Sequence, residues 1–336
     1  MAGVVLGSSW PDPALPAEPA YGPGEPRCSV RDTRLAEASG LAVDGERLFM
    51  VNDGGDSLEV YVVDGQCRVD SVITAPSDPY DVEDLARATD GTLWLADIGD
   101  NDLDRETVAL HALREDGQSV LFRFTYPDGA HDAEALLLDP AGRPYIVTKD
   151  VLGDSGVYTP AGSPAPDRST PLERVLGLQF DSTGTPGGPL DAIGQRVVTG
   201  GAVSADGTLA VLRTYTEAYV YPVVDGDLPA ALAGTPARVP LPPAPQGEAI
   251  SFAANGRDLV VTSEGSPFDV TVLPARTAAS KAATSEAAKS EAATGAPRGG
   301  PGVESEGNSW PADLAVAALL AALLVGVFGM FQRRRG

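Results

Sequence analysis

The chain has 336 residues, with 38 glycines and 29 prolines, and its 24 basic against 47 acidic side chains give a formal net charge of -23. This many helix-disfavouring residues, without a sustained heptad pattern, exclude a mainly helical fold. The acidic balance excludes a nucleic-acid footprint, which needs clustered Lys and Arg. Cations, basic peptides and polar neutral ligands remain as partner classes.

The first 26 residues contain only a short apolar run and lack the basic region that opens a secretory signal. We interpret residues 1–26 as the remnant of a signal peptide, or as the start of a protein whose export is directed otherwise. The two cysteines, Cys28 and Cys67, are expected to form a disulfide in an oxidising compartment. Two unrelated free thiols are the alternative.

Residues 27–275 repeat one pattern, a strand with a polar opening, a tight turn and a second apolar strand. The five copies are EASGLAVDGERLFMVND, DVEDLARATDGTLWLAD, DAEALLLDPAGRPYIVTK, TGGAVSADGTLAVLR and QGEAISFAANGRDLVVTS. With Leu41, Leu85, Leu136, Val203 and Ile250 as equivalent positions, the spacings are 44, 51, 67 and 47 residues. Such a period is typical of a four-stranded propeller blade.

Further alternating apolar strands in each repeat predict an all-β protein, a β-propeller of about five blades. The fifth repeat lacks an outer strand, and Arg27–Leu35 is expected to supply it, which would close the ring and remove exposed sheet edges. The long segment 181–196 leaves room for a sixth blade. Four dipeptides at the same place in the repeat predict two-residue hairpin turns: Asp44-Gly45, Asp90-Gly91, Asp206-Gly207 and Asn255-Gly256.

Composition changes after the last repeat. Residues 276–312 are almost entirely small and polar, which predicts a disordered stalk. Residues 314–331 carry no charge, and Arg333–Arg335 follow them, so residues 313–332 are predicted to form one transmembrane helix with residues 333–336 as a cytoplasmic basic tail. The propeller would then be an extracellular monomer, attached to the plasma membrane by a single-pass helix.

The topology brings the openings of the first strands and the ends of the second strands to one mouth of the channel. The openings include Asp81 with Glu83, Asp132 with Glu134, and Glu248; together with His131, the three glutamates are the candidate catalytic groups. The second strands end on Asp53, Lys149, Arg213 and Glu264, which are the candidate ligand-binding residues. These side chains predict a concave polar site.

The loop DIGDNDLD has the highest density of oxygen ligands in the chain. Its candidate metal ligands are Asp97, Asp100, Asn101, Asp102 and Asp104. Hard oxygen donors suit Ca²⁺. The loop is not an EF-hand, because Arg105 stands where the required glycine would be. The alternative is that these side chains cap turns by accepting backbone N–H groups.

The phrases WLADIGDN, YPDGAHDAEALLLD and VTGGAVSADGTLAVLRTYTEAYVY resemble a family of uncharacterised, exported, membrane-anchored β-propellers of high-GC bacteria. More distantly, EAISF and EALLL are similar to calcium-dependent propeller esterases and phytases, although only Lys149 and Arg213 match basic positions of their phosphate sites. The resemblance implies fold and location.

Two functions follow as hypotheses. The first is a calcium-stabilised surface recognition module for an envelope protein or a small polar ligand; the alternative is a metal-dependent esterase, phosphoesterase or lactonase.

Overall fold

The computed structural model describes residues 20–189 and 192–276. The predicted stalk, transmembrane helix and basic tail lie outside these residues, apart from residue 276. No helix in the described ranges is both long enough and apolar enough to cross a bilayer. The described chain opens with strands β1 (Ala20–Tyr21) and β2 (Glu25–Val30) and a 3₁₀ turn at Thr33–Leu35.

Five four-stranded blades follow. Blade 1 contains β3 (Ala38–Asp44), β4 (Arg47–Asn52), β5 (Leu58–Val63) and β6 (Val69–Ala75). Blade 2 contains β7 (Val82–Arg87), β8 (Leu93–Asp97), β9 (Val108–Leu113) and β10 (Ser119–Thr125). Blade 3 contains β11 (Ala133–Leu138), β12 (Pro144–Thr148), β13 (Asp154–Pro160) and β14 (Thr170–Gln179). Blade 4 contains β15 (Val198–Val203), β16 (Leu209–Thr214), β17 (Glu217–Pro222) and, after helix α1 (Leu228–Leu232), β18 (Ala237–Pro240).

Blade 5 contains β19 (Ile250–Phe252), β20 (Leu259–Val261) and β21 (Phe268–Leu273), and its fourth strand is β2 from the other end of the propeller. The prediction of a closing N-terminal strand is confirmed, because β2 pairs antiparallel with β21. The strand is shorter than predicted and ends at Val30. A final strand, β22 (Ala275–Arg276), pairs with β1. In the described parts of segment 181–197, residues 181–189 and 192–197, no strand of a sixth blade forms.

The apolar side chains form five separate clusters, and each cluster joins two neighbouring blades. The inner strands contact each other in the cyclic order β3, β7, β11, β15, β19. A single blade cannot bury its own faces, so this radial packing is what stabilises the fold. Blades 2 and 3 are also joined at the rim, where β10 and β14 pair in parallel over two residues.

The hairpin turns match the predicted length in blade 1 and differ from it in the other blades. In blade 1 Asp44 pairs with Arg47, so that Gly45 and Glu46 form a two-residue turn. In blades 2 to 5 the glycine N–H bonds the carbonyl three residues earlier, and the glycine is in the left-handed region; the four residues are Gly91, Gly142, Gly207 and Gly256. This is a four-residue turn ending in a left-handed glycine, not a two-residue turn. An Asp or Asn within each of these turns acts as a cap, as where Asp90 Oδ1 accepts the N–H of Thr92 at 2.9 Å.

Cys28 and Cys67 form a disulfide, with their Cα atoms 5.8 Å apart. Cys28 lies in the closing strand β2, and Cys67 lies in the turn between β5 and β6 of blade 1. The covalent bond therefore joins blade 5 to blade 1 at the closure of the ring.

Candidate functional site

Four of the five inner strands begin with a β-bulge. The register slips between Ala38 and Gly40, Val82 and Asp84, Ala133 and Ala135, and Val198 and Gly200. The residues inside these bulges are Ser39, Glu83, Glu134 and Thr199. Bulges commonly re-aim side chains next to functional sites. The fourth bulge makes Gly201, not Val203, the equivalent of Leu41, because β15 is bulged two residues before Gly201.

The second strands return to the same end of the propeller, as the sequence indicated. The N–H of Asp53 bonds the carbonyl of Glu37 at 2.8 Å, and the N–H of Lys149 bonds that of Asp132 at 2.9 Å. In blade 5 the N–H of Glu264 bonds the carbonyl of Gln246 at 2.9 Å. These backbone bonds place strand openings and strand ends side by side at one mouth.

Five carboxylates from blades 1 to 3 converge at this mouth, and we call them the axial carboxylates: Asp53, Asp81, Glu83, Asp132 and Glu134. Within the described residues they form two overlapping groups, each with carboxylate oxygens no more than 4.8 Å apart. One group is Asp53 with Asp81 and Glu83, and the other is Glu83 with Asp132 and Glu134. Glu83 belongs to both groups and is the centre of the site.

Glu83 is 2% exposed, yet its carboxylate has no hydrogen-bond or ion-pair partner among the described residues. Leaving an ionised carboxylate buried without a partner is costly. The backbone of Gly99 passes directly against it, and a Cβ there would collide with the carboxylates of Glu83 and Asp81. Only glycine fits at this position, and its backbone lies directly against two of the axial carboxylates.

The electrostatics of the mouth are dominated by carboxylates. Burial, followed by the charges of Asp53 and Glu134, raises the pKa of Glu83 well above its usual value. Burial, followed by the charges of Asp53 and Asp132, raises the pKa of Asp81 to about 8. At neutral pH this group of carboxyls must hold protons or a cation to be stable.

Lys149 supplies a positive charge beside the axial carboxylates. Its Nζ forms an ion pair with Glu134, whose side chain is 3% exposed. Burial alone would lower the pKa of Lys149, but the charge of Glu134, followed by those of neighbouring groups including Asp132, outweighs burial and raises it. The group around Glu134 is therefore partly neutralised. The charge of Lys149 also acts to lower the pKa of Asp53 and of Glu83, but burial outweighs it and both pKa values are raised.

Glu248 and Glu264 extend the acidic mouth on the side of blade 5. Glu248 Oε1 accepts a hydrogen bond from Gln246 Nε2 at 3.2 Å. Burial raises the pKa of Glu264 to about 7, although its hydrogen bond with Glu248 acts in the opposite direction. Glu264 thus titrates near neutral pH, as a general base or acid requires.

Arg213 and His131 are placed differently from the other candidates. Arg213 is 1% exposed, and its guanidinium donates to the carbonyls of Ala249 at 2.5 Å and Thr262 at 2.8 Å. It therefore holds the backbone of blade 5. His131 Nε2 lies 3.0 Å from Asp128 Oδ1 and 3.0 Å from the hydroxyl of Tyr158. These contacts involve none of the axial carboxylates.

The structure does not bring the predicted calcium ligands of the loop DIGDNDLD into one cluster. Asp100 is buried and accepts the N–H groups of Asp104 at 3.0 Å and Arg105 at 3.1 Å. Asn101, Asp102 and Asp104 are exposed, and none of the loop residues belongs to either group of clustered ligand atoms. Asp100 is a turn cap, which is the alternative that the sequence left open.

Asp97 serves as a structural anion. It pairs with Arg105 at 2.9 Å and accepts the N–H groups of Tyr80 at 3.1 Å and Asp81 at 2.9 Å. Burial acts to raise the pKa of Asp97, but the hydrogen bond from His111 and the charge of Arg105 outweigh burial and lower it to about 2. Asp97 positions the backbone that carries Asp81.

Asp84 is a central residue that sequence reasoning missed. It is fully buried and accepts N–H groups from Leu85 at 2.8 Å, Leu136 at 2.8 Å and Gly201 at 3.2 Å. These residues belong to blades 2, 3 and 4, so one carboxylate joins three inner strands below the mouth. The signal in the sequence was an acidic residue directly after Glu83, at a position where the other repeats have a small residue.

Comparisons with known proteins give distant likenesses among solved structures. No family model matches the chain, and a search of curated proteins finds no match. Among solved structures, a gluconolactonase from Xanthomonas campestris is 20% identical over 72% of this chain and 73% of that one, with a TM-score of 0.41. A second structure, named as a candidate gluconolactonase, is 18% identical over 72% and 76%, with a TM-score of 0.41. The PQQ-bound aldose sugar dehydrogenase of Streptomyces coelicolor is 11% identical over 78% and 100%, with a TM-score of 0.43. Similarity at this level carries no inference about the chemistry of this chain.

Proposed function

We propose that this propeller is a divalent-cation-dependent hydrolase of lactones or esters. The observation that carries the proposal is Glu83, a buried carboxylate without a partner that faces Asp53 and Asp81. Charged groups at a recognition surface are ordinarily exposed, whereas Glu83 is 2% exposed. Burying several ionised carboxylates together is unfavourable unless they take up protons or a cation binds among them. The geometry therefore supports the alternative hypothesis better than the recognition module.

The residues fit a cation on the side of Asp53, Asp81 and Glu83. Their carboxylate oxygens are hard donors, and three carboxylates can supply several of the six to eight oxygen ligands that Ca²⁺ takes. The other side, around Glu134, already has the ammonium group of Lys149. Calcium is the ion proposed because the donor set contains oxygen only; neither His nor Cys belongs to the clustered groups among the described residues.

A bound cation would polarise a substrate carbonyl and acidify a water molecule. Glu264 is placed at the same mouth, and its pKa of about 7 suits it to accept the proton of that water. The Nζ of Lys149 would donate to the oxygen that becomes negative during attack, since it is the ammonium group among the axial carboxylates. Asp84 and Arg213 hold the inner strands that carry these groups.

We also propose that the propeller acts outside the cell, tethered through residues 313–332. The support is the disulfide between Cys28 and Cys67, since such bonds persist mainly in oxidising compartments. Added protease should then reach the propeller on intact cells. Protection of the propeller until the cells are lysed would contradict this location.

The test of the activity is a turnover screen of lactones, carboxylic esters and phosphoesters with calcium or with a chelator. Chelation should abolish turnover of at least one lactone or ester, and Glu83→Gln should lower kcat/KM by about 100-fold. The matched control is Asp102→Asn in the exposed loop, which should leave turnover unchanged. Activity that persists under chelation and in Glu83→Gln would contradict the proposal. Calcium binding without any turnover would return the site to a recognition role.

A further inference from the structure

Tyr215 takes the position in blade 4 that Asp53 and Lys149 take in blades 1 and 3. In each of these blades, the last residue of the second strand pairs with the residue just before the bulge of the inner strand. These pairs are Ala38 with Asn52, Ala133 with Thr148, and Val198 with Thr214. The next residues along the chain are Asp53, Lys149 and Tyr215, respectively. The register therefore places Tyr215, rather than Arg213, at the mouth of the channel.

The side chain of Tyr215 is buried and closely packed. The residue is only 4% exposed. A Cβ at Gly188 would lie 2.6 Å from the Cβ of Tyr215, and a Cβ at Gly194 would lie 3.4 Å from its Cδ2. Both glycines belong to the long connection that precedes β15, so this connection packs on the tyrosine ring. Such packing restricts the ring to few rotamers and so fixes the position of its hydroxyl.

The hydroxyl of Tyr215 has no hydrogen-bond partner among the residues that the structure describes. Its charged neighbours come from the two adjoining blades, Lys149 and Glu134 from blade 3, and Glu248 and Glu264 from blade 5. Burial raises the pKa of Tyr215 well above its usual value; the charge of Lys149 opposes this shift, and the three carboxylates add to it. The hydroxyl is therefore a neutral donor at neutral pH. Since buried polar groups are ordinarily hydrogen-bonded, it is suited to an acceptor that the protein itself does not supply.

We propose that the hydroxyl of Tyr215 donates a hydrogen bond to the substrate oxygen that becomes negative during hydrolysis, as the second donor beside the ammonium group of Lys149. This inference rests on the proposed hydrolase function. In that reaction the oxygen of water bonds to the carbonyl carbon, a proton of the water passes to Glu264, and an electron pair moves onto the carbonyl oxygen. When this pair returns, the C–O bond of the ester or lactone breaks and Glu264 gives the proton to the leaving oxygen. Tyr215 keeps its own proton throughout.

A phenol supplies what the rest of this side of the mouth lacks among the described residues. Ionised carboxylates can only accept hydrogen bonds, and the ammonium group of Lys149 is shared with Glu134. The hydroxyl adds a donor without adding a charge. Because its position is fixed by packing, it stabilises the developing charge without reorganising during the reaction.

The experiment compares wild type with Tyr215→Phe, each as the full chain loaded with calcium, in the hydrolysis of γ-butyrolactone and p-nitrophenyl acetate. Removing one such donor should lower kcat by about 100- to 1,000-fold, while KM changes by less than about threefold. The affinity for calcium should stay the same, because phenylalanine keeps the packing of the ring. Tyr221→Phe is the matched control, since Tyr221 is 3% exposed and pairs with Ala210, at the end of β16 far from the mouth. It should change neither constant.

A kcat of Tyr215→Phe within about threefold of wild type would overturn the inference while leaving the hydrolase intact. Absence of turnover in wild type would count against the hydrolase itself, and a binding measurement then tests the donor. Methylphosphonate carries tetrahedral anionic oxygens like those of the attacked carbonyl. By calorimetry, Tyr215→Phe should bind it at least about tenfold more weakly than wild type or Tyr221→Phe does, because a hydrogen bond to a charged oxygen is lost. Equal binding to Tyr215→Phe and wild type, or no binding to wild type, would overturn the inference.

Discussion

Removing the disulfide tests how the ring is closed. The bond joins Cys28 in the borrowed outer strand of blade 5 to Cys67 in blade 1, with a sequence separation of 39 residues. In the chain-entropy model, closing a loop of this length stabilises the fold by about 4 kcal/mol. For a domain of this size, that loss corresponds to a decrease in Tm of roughly 8 to 16 °C.

The assay is scanning calorimetry of the double variant Cys28→Ser with Cys67→Ser beside the wild type, each with and without a reductant. Serine matches cysteine in size, and both are equally strained at position 67, where φ is 61°. Wild type in the reductant should therefore have the same Tm as the double variant, and the reductant should not change the Tm of the variant. If oxidised wild type and variant melt within about 2 °C of each other, the closing strand is held without the disulfide and the reasoning is wrong.

Three further predictions concern the channel. Asp84→Ala should lower the free energy of unfolding by about 3 kcal/mol or more, because three buried N–H groups lose their acceptor; a loss below about 1 kcal/mol in denaturant titration would refute this. Lys149→Met should lower the free energy of unfolding without calcium by about 3 to 5 kcal/mol, because Glu134 is left buried and unpaired. Added calcium should stabilise this variant more than it stabilises wild type. In the folded protein the pKa values of Asp81 and Glu264 are raised to about 8 and about 7. These carboxyls therefore keep protons that the unfolded chain releases near pH 4. Calcium-free stability should therefore decline from about pH 4 to about pH 8, while calcium affinity rises over the upper part of that range; melting and calorimetry at several pH values check both trends.

The five-fold repeat was sufficient to predict the blades, their order and the borrowed strand. Each repeat contains its own strands and turns, so the alternation of apolar residues is a local signal. The exact turn type was not predictable from Asp-Gly alone, because the same dipeptide serves two-residue turns and longer turns that end in a left-handed glycine. The short length of β2 follows from the 3₁₀ turn at Thr33–Leu35.

The site was predicted in outline and missed in detail. The convergence of Glu83 and Glu134 follows from topology, and the structure brings them together with Asp132. The calcium site was predicted in the dense acidic loop because composition cannot distinguish a turn cap such as Asp100 from a metal ligand. The role of Asp84 depends on N–H groups from two other blades, which no local pattern reveals.

Calcium titration by calorimetry tests the central claim most directly, because it separates the axial carboxylates from the acidic loop. The comparison is between wild type, Glu83→Gln and the double variant Asp102→Asn with Asp104→Asn. Wild type and the loop variant should bind calcium with the same Kd, and Glu83→Gln should bind it about 10- to 100-fold more weakly. Loss of binding in the loop variant with retention in Glu83→Gln, or no binding to wild type at millimolar calcium, would contradict the account.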